Sequence, residues 1–311
     1  MIPLPVVVGP TGSGKSDLAI HIALTVGGEI VNCDSLQVYR GFDIGTAKVP
    51  AAERQGIPHH LIDIIGQDQL FTAGDYARVA TSALRQIAER GRIPIVAGGT
   101  GFYLRALLDG LFPGPSRDET LRTRLEDREA TRSGSLHRIL KRLDPPAAAR
   151  IHPNDKNKTM RALEVRLIEG RSLSSLFERG RAPLSGFGPI KLGLDPPREL
   201  LYARLNARAS AIFERGLVDE VRQLLEAGVS RGAKPFESLG YKQALQVLEG
   251  SLTIEQALES TQLATRRYAK RQITWFRKEN GVHWIAGFGD DLGVQAEALA
   301  IVQREGARIR I

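Results

Sequence analysis

The stretch that most limits what this chain can become is "GPTGSGKS", residues 9–16. It satisfies G-x-x-x-x-G-K-[ST]. The apolar run "LPVVV" (4–8) leads into it, and "SDLAIHIAL" (16–24) leads out, with Leu18, Ala19, Ile22 and Ala23 at helical spacing. Buried strand, glycine-rich turn and helix, in that order, make a cradle for phosphate. The glycines permit backbone shapes that point N–H groups inward, and the helix adds its positive N-terminal end. Lys15 supplies a cation, and the Ser16 hydroxyl can ligate Mg²⁺. Gly9, Pro10, Thr11, Gly12, Ser13, Gly14, Lys15 and Ser16 are therefore the candidate phosphate-binding residues, against the alternative of a simple glycine-rich turn.

The pattern that follows is consistent with such a cradle. Gly27 and Gly28 stop the first helix, "EIVNC" (29–33) reads as a second strand and "HLIDII" (60–65) as a third. Residues 71–91 read as a helix ended by Gly91, and "IPIVAGG" (93–99) as another buried strand. This alternation predicts an α/β fold, a P-loop-type parallel sheet covered by helices. It breaks near "LFPGPSRDE" (111–119), and an Arg-rich, mostly helical stretch runs to about residue 189 before "IKLGL" (190–194) resumes it. The expected organisation is an α/β core from residues 1–112 and 190–311, a helical insertion domain over 113–189, and a largely helical C-terminal part.

Composition narrows the setting. A single cysteine, Cys33, rules out an internal disulfide and suits a reducing, cytoplasmic compartment. The N-terminus shows no basic region or cleavage-type site, and no apolar stretch approaches the ~20 residues of a membrane span, so no membrane partner is expected. The net charge of +8 is unevenly placed: residues 117–181 and 266–278 each carry a net +6. Two such segments beside a phosphate loop suggest a separate polyanion-binding surface, although each alone could be a solvated helix face.

A phosphate loop does not name its ligand. Kinases and ATPases also need an acid for Mg²⁺ at the end of a buried strand, and the strand at 93–97 ends in Gly98, Gly99 and Thr100. The acid at a strand end is Asp34, which can ligate Mg²⁺ through water, act as a base, or cap the next turn. In the helix expected at 196–216, Arg204 and Arg208 share a face and either clamp a pyrophosphate or meet solvent. In "RRYAKRQITWFRK" (266–278), Ala269, Ile273 and Phe276 share an apolar face, opposite Arg267, Lys270, Arg271 and Lys278, while Tyr268 and Trp275 are placed to stack on bases or to be buried.

Taken together, "GPTGSGKS" (9–16), "DSLQVYRGFDIGTAK" (34–48), "AGGTGFYLRALLDG" (97–110), "HPNDKNKTMRALEV" (152–165), "SLGYKQ" (238–243) and "KRQITWFRK" (270–278) closely resemble the tRNA dimethylallyltransferases, also called tRNA isopentenyltransferases. The resemblance covers most of residues 4–285, and residues 286–311 match nothing interpretable. It implies transfer of a five-carbon allyl group from dimethylallyl diphosphate to the exocyclic amine of the adenosine just 3′ of a tRNA anticodon. By the same resemblance, Gly9 to Ser16 hold the diphosphate, Thr11 hydrogen-bonds to it, Arg208 binds the pyrophosphate and Asp34 is the general base. The residues implied along the tRNA are Asp34, Ser35, Leu36 and Gln37, then Thr100, Arg122, Asn157, Lys158, Thr159, Met160 and Arg161. They continue with Glu237, Ser238, Leu239, Gly240, Tyr241 and Lys242, and with Lys270, Arg271, Gln272, Ile273, Thr274, Trp275, Phe276 and Arg277. A monomer is expected, since nothing in the fold requires a dimer. Three rival readings are a P-loop kinase of a nucleotide or small metabolite, a non-catalytic RNA-binding module, and prenyl transfer to free adenine nucleotides.

Overall fold

Val6, Val7 and Val8 are β-branched and fully or almost fully buried, which suits a strand with both faces covered. In the computed structural model, which describes the chain apart from Pro113, Ser116, Arg179 and Ile311, they close β1 (Ile2–Val8). The chain continues as α1 (Lys15–Val26), β2 (Gly28–Asn32), β3 (His59–His60), α2 (Ala73–Glu89), β4 (Ile93–Ala97) and α3 (Gly101–Leu108). Then come α4 (Glu119–Thr131), α5 (Ser135–Leu143), α6 (Pro145–Arg150), α7 (Lys156–Glu169) and α8 (Leu173–Glu178). The last part comprises β5 (Phe187–Asp195), α9 (Arg198–Glu214), α10 (Leu217–Glu226), α11 (Tyr241–Leu248), α12 (Ile254–Phe276), β6 (Val282–Ala286) and α13 (Leu292–Arg310).

The six strands form one sheet in the order β3-β2-β4-β1-β5-β6, and every pairing is parallel. Leu18, Ile22, Ile95, Leu192, Ile285 and Ala298 meet in its core, with α1 and α13 contributing helix faces. Gly27 takes φ 65 and ends α1 as expected, and a Thr72–Asp75 capping box starts α2. A second cluster, built on Val38, Phe42, Leu217, Val221, Phe236 and Tyr241, packs α10 and α11 against the segment after β2.

Two readings of the sequence change here. The strand expected at 60–65 is only His59–His60, because Leu61 and Asp63 take φ 63 and 57 and turn the chain. Asp63 there accepts from the buried Lys48 ammonium at 2.5 Å. The C-terminal part also contains β6, a sheet-edge strand in which only Ile285 is buried and His283 breaks the apolar pattern.

The chain divides into two compact units, residues 1–108 with 184–311, and residues 109–183. The expected insertion, 113–189, begins at Pro113, which lies outside the described residues. Its last three residues, Phe187 to Pro189, pair with Ile2 to Leu4 and so belong to the sheet. The second unit packs its helices around Leu125, Leu136, Leu140, Ala147, Met160 and Leu163.

Gly98 and Gly99 end β4 between the ends of β2 and β1. A Cβ on Gly98 would overlap the carbonyl of Cys33. Gly98→Ala is expected to cost about 1–3 kcal/mol, the usual range for overpacking. Urea unfolding followed by tryptophan fluorescence tests this, since Trp275 and Trp284 both lie in the first unit.

Candidate active site

The carboxyl ends of β1, β4 and β2 stand side by side, as ligand-binding ends of parallel strands do. Helix α1 begins at Lys15 without a side-chain cap, leaving the amides of its first turn for a ligand. Gly12 and Gly14 take φ 76 and 81, and added Cβ atoms would come within 2.7 Å of Leu205 and of Asp290, respectively. The loop thus has its shape only with glycine at these positions. Beside it lies a polar cavity of about 450 Å³, lined by Lys15, Ser16, Asp17, Gln37, Arg204 and Asp290 among others.

A second cavity of about 500 Å³ adjoins it, walled by Leu36, Tyr39, Phe71, Tyr103, Ile212 and Tyr268 with Lys234, Glu237 and Arg271. The two share four lining residues: Thr11, Asp34, Thr46 and Arg208. Three of these are residues that the sequence singled out for chemistry. Asp34 Oδ1 accepts from the N–H of Leu36 at 2.8 Å and of Gln37 at 3.3 Å. Oδ2 has no hydrogen-bond partner among the described residues, so the turn uses one oxygen and leaves the other to the cavity. Thr100 braces this turn, its Oγ1 accepting from Ser35 N at 3.1 Å.

Arg204 and Arg208 do not form the clamp that their shared helix face allowed. Arg204 is held in two hydrogen bonds by Asp290, at 2.8 and 2.5 Å, and lies over the Phe288 ring. Arg208 has no ion-pair partner among the described residues and faces both cavities. Burial lowers its pKa, opposed by the charges of Asp34 and Asp17. Burial likewise lowers Lys15 to about 8, Arg208 adding to the shift and Asp34 opposing it, while Lys15 Nζ donates to Pro10 O at 2.7 Å. Two poorly solvated cations in one cavity are suited to an anion.

Gln272, which the sequence placed along the tRNA, is buried in the joint between loop and sheet. Its Oε1 accepts from Thr11 N at 2.8 Å and its Nε2 donates to Gly99 O at 2.9 Å. A Cβ on Gly99 would overlap that amide and one on Gly98 the Cys33 backbone, so an acid directly after β4 would have to displace them. The glycine pair after β4 was the one available signal of such a close approach. Of the aromatic wall of the second cavity, Tyr268 was marked by its place in a basic segment, while Tyr103, at ordinary helical spacing, gave no signal.

Other residues implied along the tRNA divide by exposure. Thr159, Met160, Tyr241, Gln272 and Phe276 are buried, because a contiguous motif on a helix covers every face. Tyr241 donates to Glu220 and accepts from Gly45 N at 3.1 Å. Arg122 is spent within the second unit, donating to the buried Glu164 at 2.6 and 3.0 Å. Asn157, Lys158, Lys242, Lys270, Arg271, Thr274 and Arg277 are exposed, and Arg277 pairs with Asp195 at 3.2 Å. Arg105, Arg267, Lys270, Arg271, Trp275 and Lys278 line a groove of about 540 Å³, with Arg105 stacked 4.5 Å over the Trp275 ring.

The family model described as IPP transferase matches residues 37–279. The tRNA dimethylallyltransferase of Solibacter usitatus is 60% identical over 298 residues, 96% of this chain and 97% of that protein. The chain belongs to this family. Among solved structures, the full-length tRNA isopentenylpyrophosphate transferase of Bacillus halodurans matches 100% of this chain and 99% of its own, with TM-score 0.73 and 36% identity. A eukaryotic dimethylallyltransferase acting on tRNA matches 98% of this chain and 78% of its own, with TM-score 0.83 and 30% identity. The chain is therefore a transferase. Ser16, Asp17 and Asp34 offer hard oxygens to the polar cavity, which suit Mg²⁺, whereas both oxygens of Asp290 are taken by Arg204. Among the described residues no three His, Cys, Asp or Glu converge on one point. Mg²⁺ would therefore draw most of its shell from phosphate oxygens and water, as it commonly does.

The lowered pKa of Lys15 has a consequence for stability. Its folded value, about 8, lies below the 10.5 of an unconstrained lysine, so charged Lys15 costs stability below pH 8, and the cost fades as pH rises to 10.5. Lys15→Met is expected to stabilise the ligand-free protein by about 3 kcal/mol at pH 7. That gain should vanish near pH 10.5, as read by paired urea unfolding curves.

Proposed function

We propose that this chain transfers the dimethylallyl group of dimethylallyl diphosphate to the N6 amine of the adenosine 3′-adjacent to the anticodon in tRNA, releasing pyrophosphate. The observation that carries the reading is the junction of the two cavities at Asp34, Thr11 and Arg208. The polar side suits a diphosphate, the aromatic side suits the five-carbon chain and a purine, and a carboxylate oxygen stands free between them.

The diphosphate would lie on the loop amides of Gly9 to Ser16, with Lys15, Arg208 and the Thr11 side chain about it. Held by Ser16, Mg²⁺ would supply further positive charge to the phosphate oxygens. As the allylic carbon–oxygen bond breaks, positive charge spreads over the allyl group and negative charge grows on pyrophosphate, in the cavity that Lys15 and Arg208 line. The adenine amine is a poor nucleophile because its lone pair is delocalised into the ring. Asp34 Oδ2 takes its proton as the new carbon–nitrogen bond forms, worth ~10²–10⁴-fold for a typical general base. Leaving the anticodon-loop stack costs the base a few kcal/mol, which contacts to the basic groove and to the exposed Asn157, Lys158 and Lys242 would offset. Transfer from ATP is disfavoured by the glycines after β4 and by Gln272 in the space where a metal-binding acid would stand. Among the described residues no helix is long and apolar enough to cross a membrane. A cytoplasmic monomer agrees with this reading.

Purified protein with Mg²⁺ and labelled dimethylallyl diphosphate is expected to label tRNA and leave AMP unlabelled; phosphate transfer from labelled ATP would overturn the assignment. Asp34→Asn keeps the Oδ1 acceptor for Leu36 N and Gln37 N, so the turn survives. It is expected to bind tRNA normally and lose at least ~10²-fold in single-turnover rate. Lys270→Ala with Arg271→Ala should weaken tRNA binding and lower the salt slope by about 0.7 log units per lost phosphate contact, measured by filter binding across salt concentrations.

A further inference from the structure

The segment after β6, residues 287–291, contributes Asp290 to the lining of the polar cavity. Gly289 N donates to Ser13 O at 2.9 Å, docking the segment on the phosphate loop. Asp290 sits against Gly14 and takes both terminal nitrogens of Arg204. Asp290 and Arg204 both line the cavity that holds Lys15 and Arg208. The cavity therefore contains two arginines, one free and one neutralised by a carboxylate from the C-terminal segment.

We propose that Asp290 sets the affinity of the site for pyrophosphate by sequestering Arg204, so that the product is held by Lys15 and Arg208 alone and leaves readily. The inference rests on the diphosphate reading of this cavity. A site that stabilises a leaving group by charge also binds the departed product, and each further cation deepens that trap. With Asp290 in place, Arg204 and its partner present a neutral pair to the ligand. Without it, the Arg204 guanidinium is released into the cavity as a second bidentate donor for phosphate oxygens. Both members of the pair are about two-fifths exposed, at 39% and 41%, so the pair adds little to folding stability and its variants should fold.

Isothermal titration of the full chain with pyrophosphate and Mg²⁺ tests this in four proteins: the unaltered chain, Asp290→Asn, Arg204→Ala and the double variant. Asp290→Asn is expected to bind pyrophosphate about tenfold more tightly. Arg204→Ala, which leaves an unpaired carboxylate in the cavity, should bind more weakly. The double variant should return to within about threefold of the unaltered chain, since a neutral pair is replaced by neutral groups. In kinetics with tRNA, Asp290→Asn should lower steady-state turnover and leave the single-turnover rate unchanged, a split that a structural defect would not give. A double variant as weak as Arg204→Ala would show that Arg204 itself contacts the diphosphate and overturn the proposal. So would unchanged affinity in Asp290→Asn. Arg208→Ala serves as the control for the cavity: if it binds pyrophosphate as well as the unaltered chain does, the diphosphate reading fails and takes this inference with it.

Discussion

Three strand ends meet at one edge of the sheet, and the middle one carries no side chain. Everything at the site depends on that gap. With β4 between β2 and β1, Asp34 and the phosphate loop stand two strands apart, about 10 Å at ordinary strand spacing. Gly98 and Gly99 line the polar cavity here, and the Cys33 backbone and Gln272 fill the space where their side chains would stand. A larger residue at either glycine would push apart the elements that must share a cavity. The same vacancy removes the acid on which phosphoryl transfer depends, so one steric requirement both opens the site and turns it away from kinase chemistry.

Electrostatics then divides the site into two halves. On the loop side, burial strains Lys15 and Arg208 toward losing their charge, and an anion relieves both. On the other side the walls are aromatic, and the neighbouring phenols are pushed up by burial: Tyr103 and Tyr268 stay neutral and offer rings to a flat or apolar guest. Asp34 stands between them, with one oxygen spent on its own turn. Charge separation between a leaving group and a nucleophile is thus matched by a separation already present in the protein.

Much of this was legible in the sequence, and the reasons are particular. The phosphate loop is local: its glycines, Lys15 and Ser16 are consecutive, so their geometry follows from one turn. Asp34 was legible because a strand end fixes its position. The aromatic chamber was not, since Tyr39, Phe71, Tyr103 and Tyr268 come from four separate segments and, Tyr268 apart, look like ordinary core residues until the chain is folded. The burial of Gln272 was not legible for the converse reason: a run of consecutive motif residues along a helix looks like one surface, whereas the helical turn buries some and exposes others. The partnership of Arg204 with Asp290 spans 86 residues, and no local pattern announces it.

Helix α12 touches all of these parts at once. Thr261, Thr265 and Tyr268 line the chamber, Gln272 holds the phosphate loop, and Arg267 through Lys278 line the basic groove. It runs unbroken for 23 residues, about 35 Å at the usual rise. On the proposed function, a rod that carries both the basic groove and the aromatic cavity would act as a ruler. A polynucleotide held along one part of it can deliver to Asp34 only the base lying at a fixed contour distance from the grip. Selection of the target nucleotide then becomes partly a matter of length, set by the helix before any base edge is read.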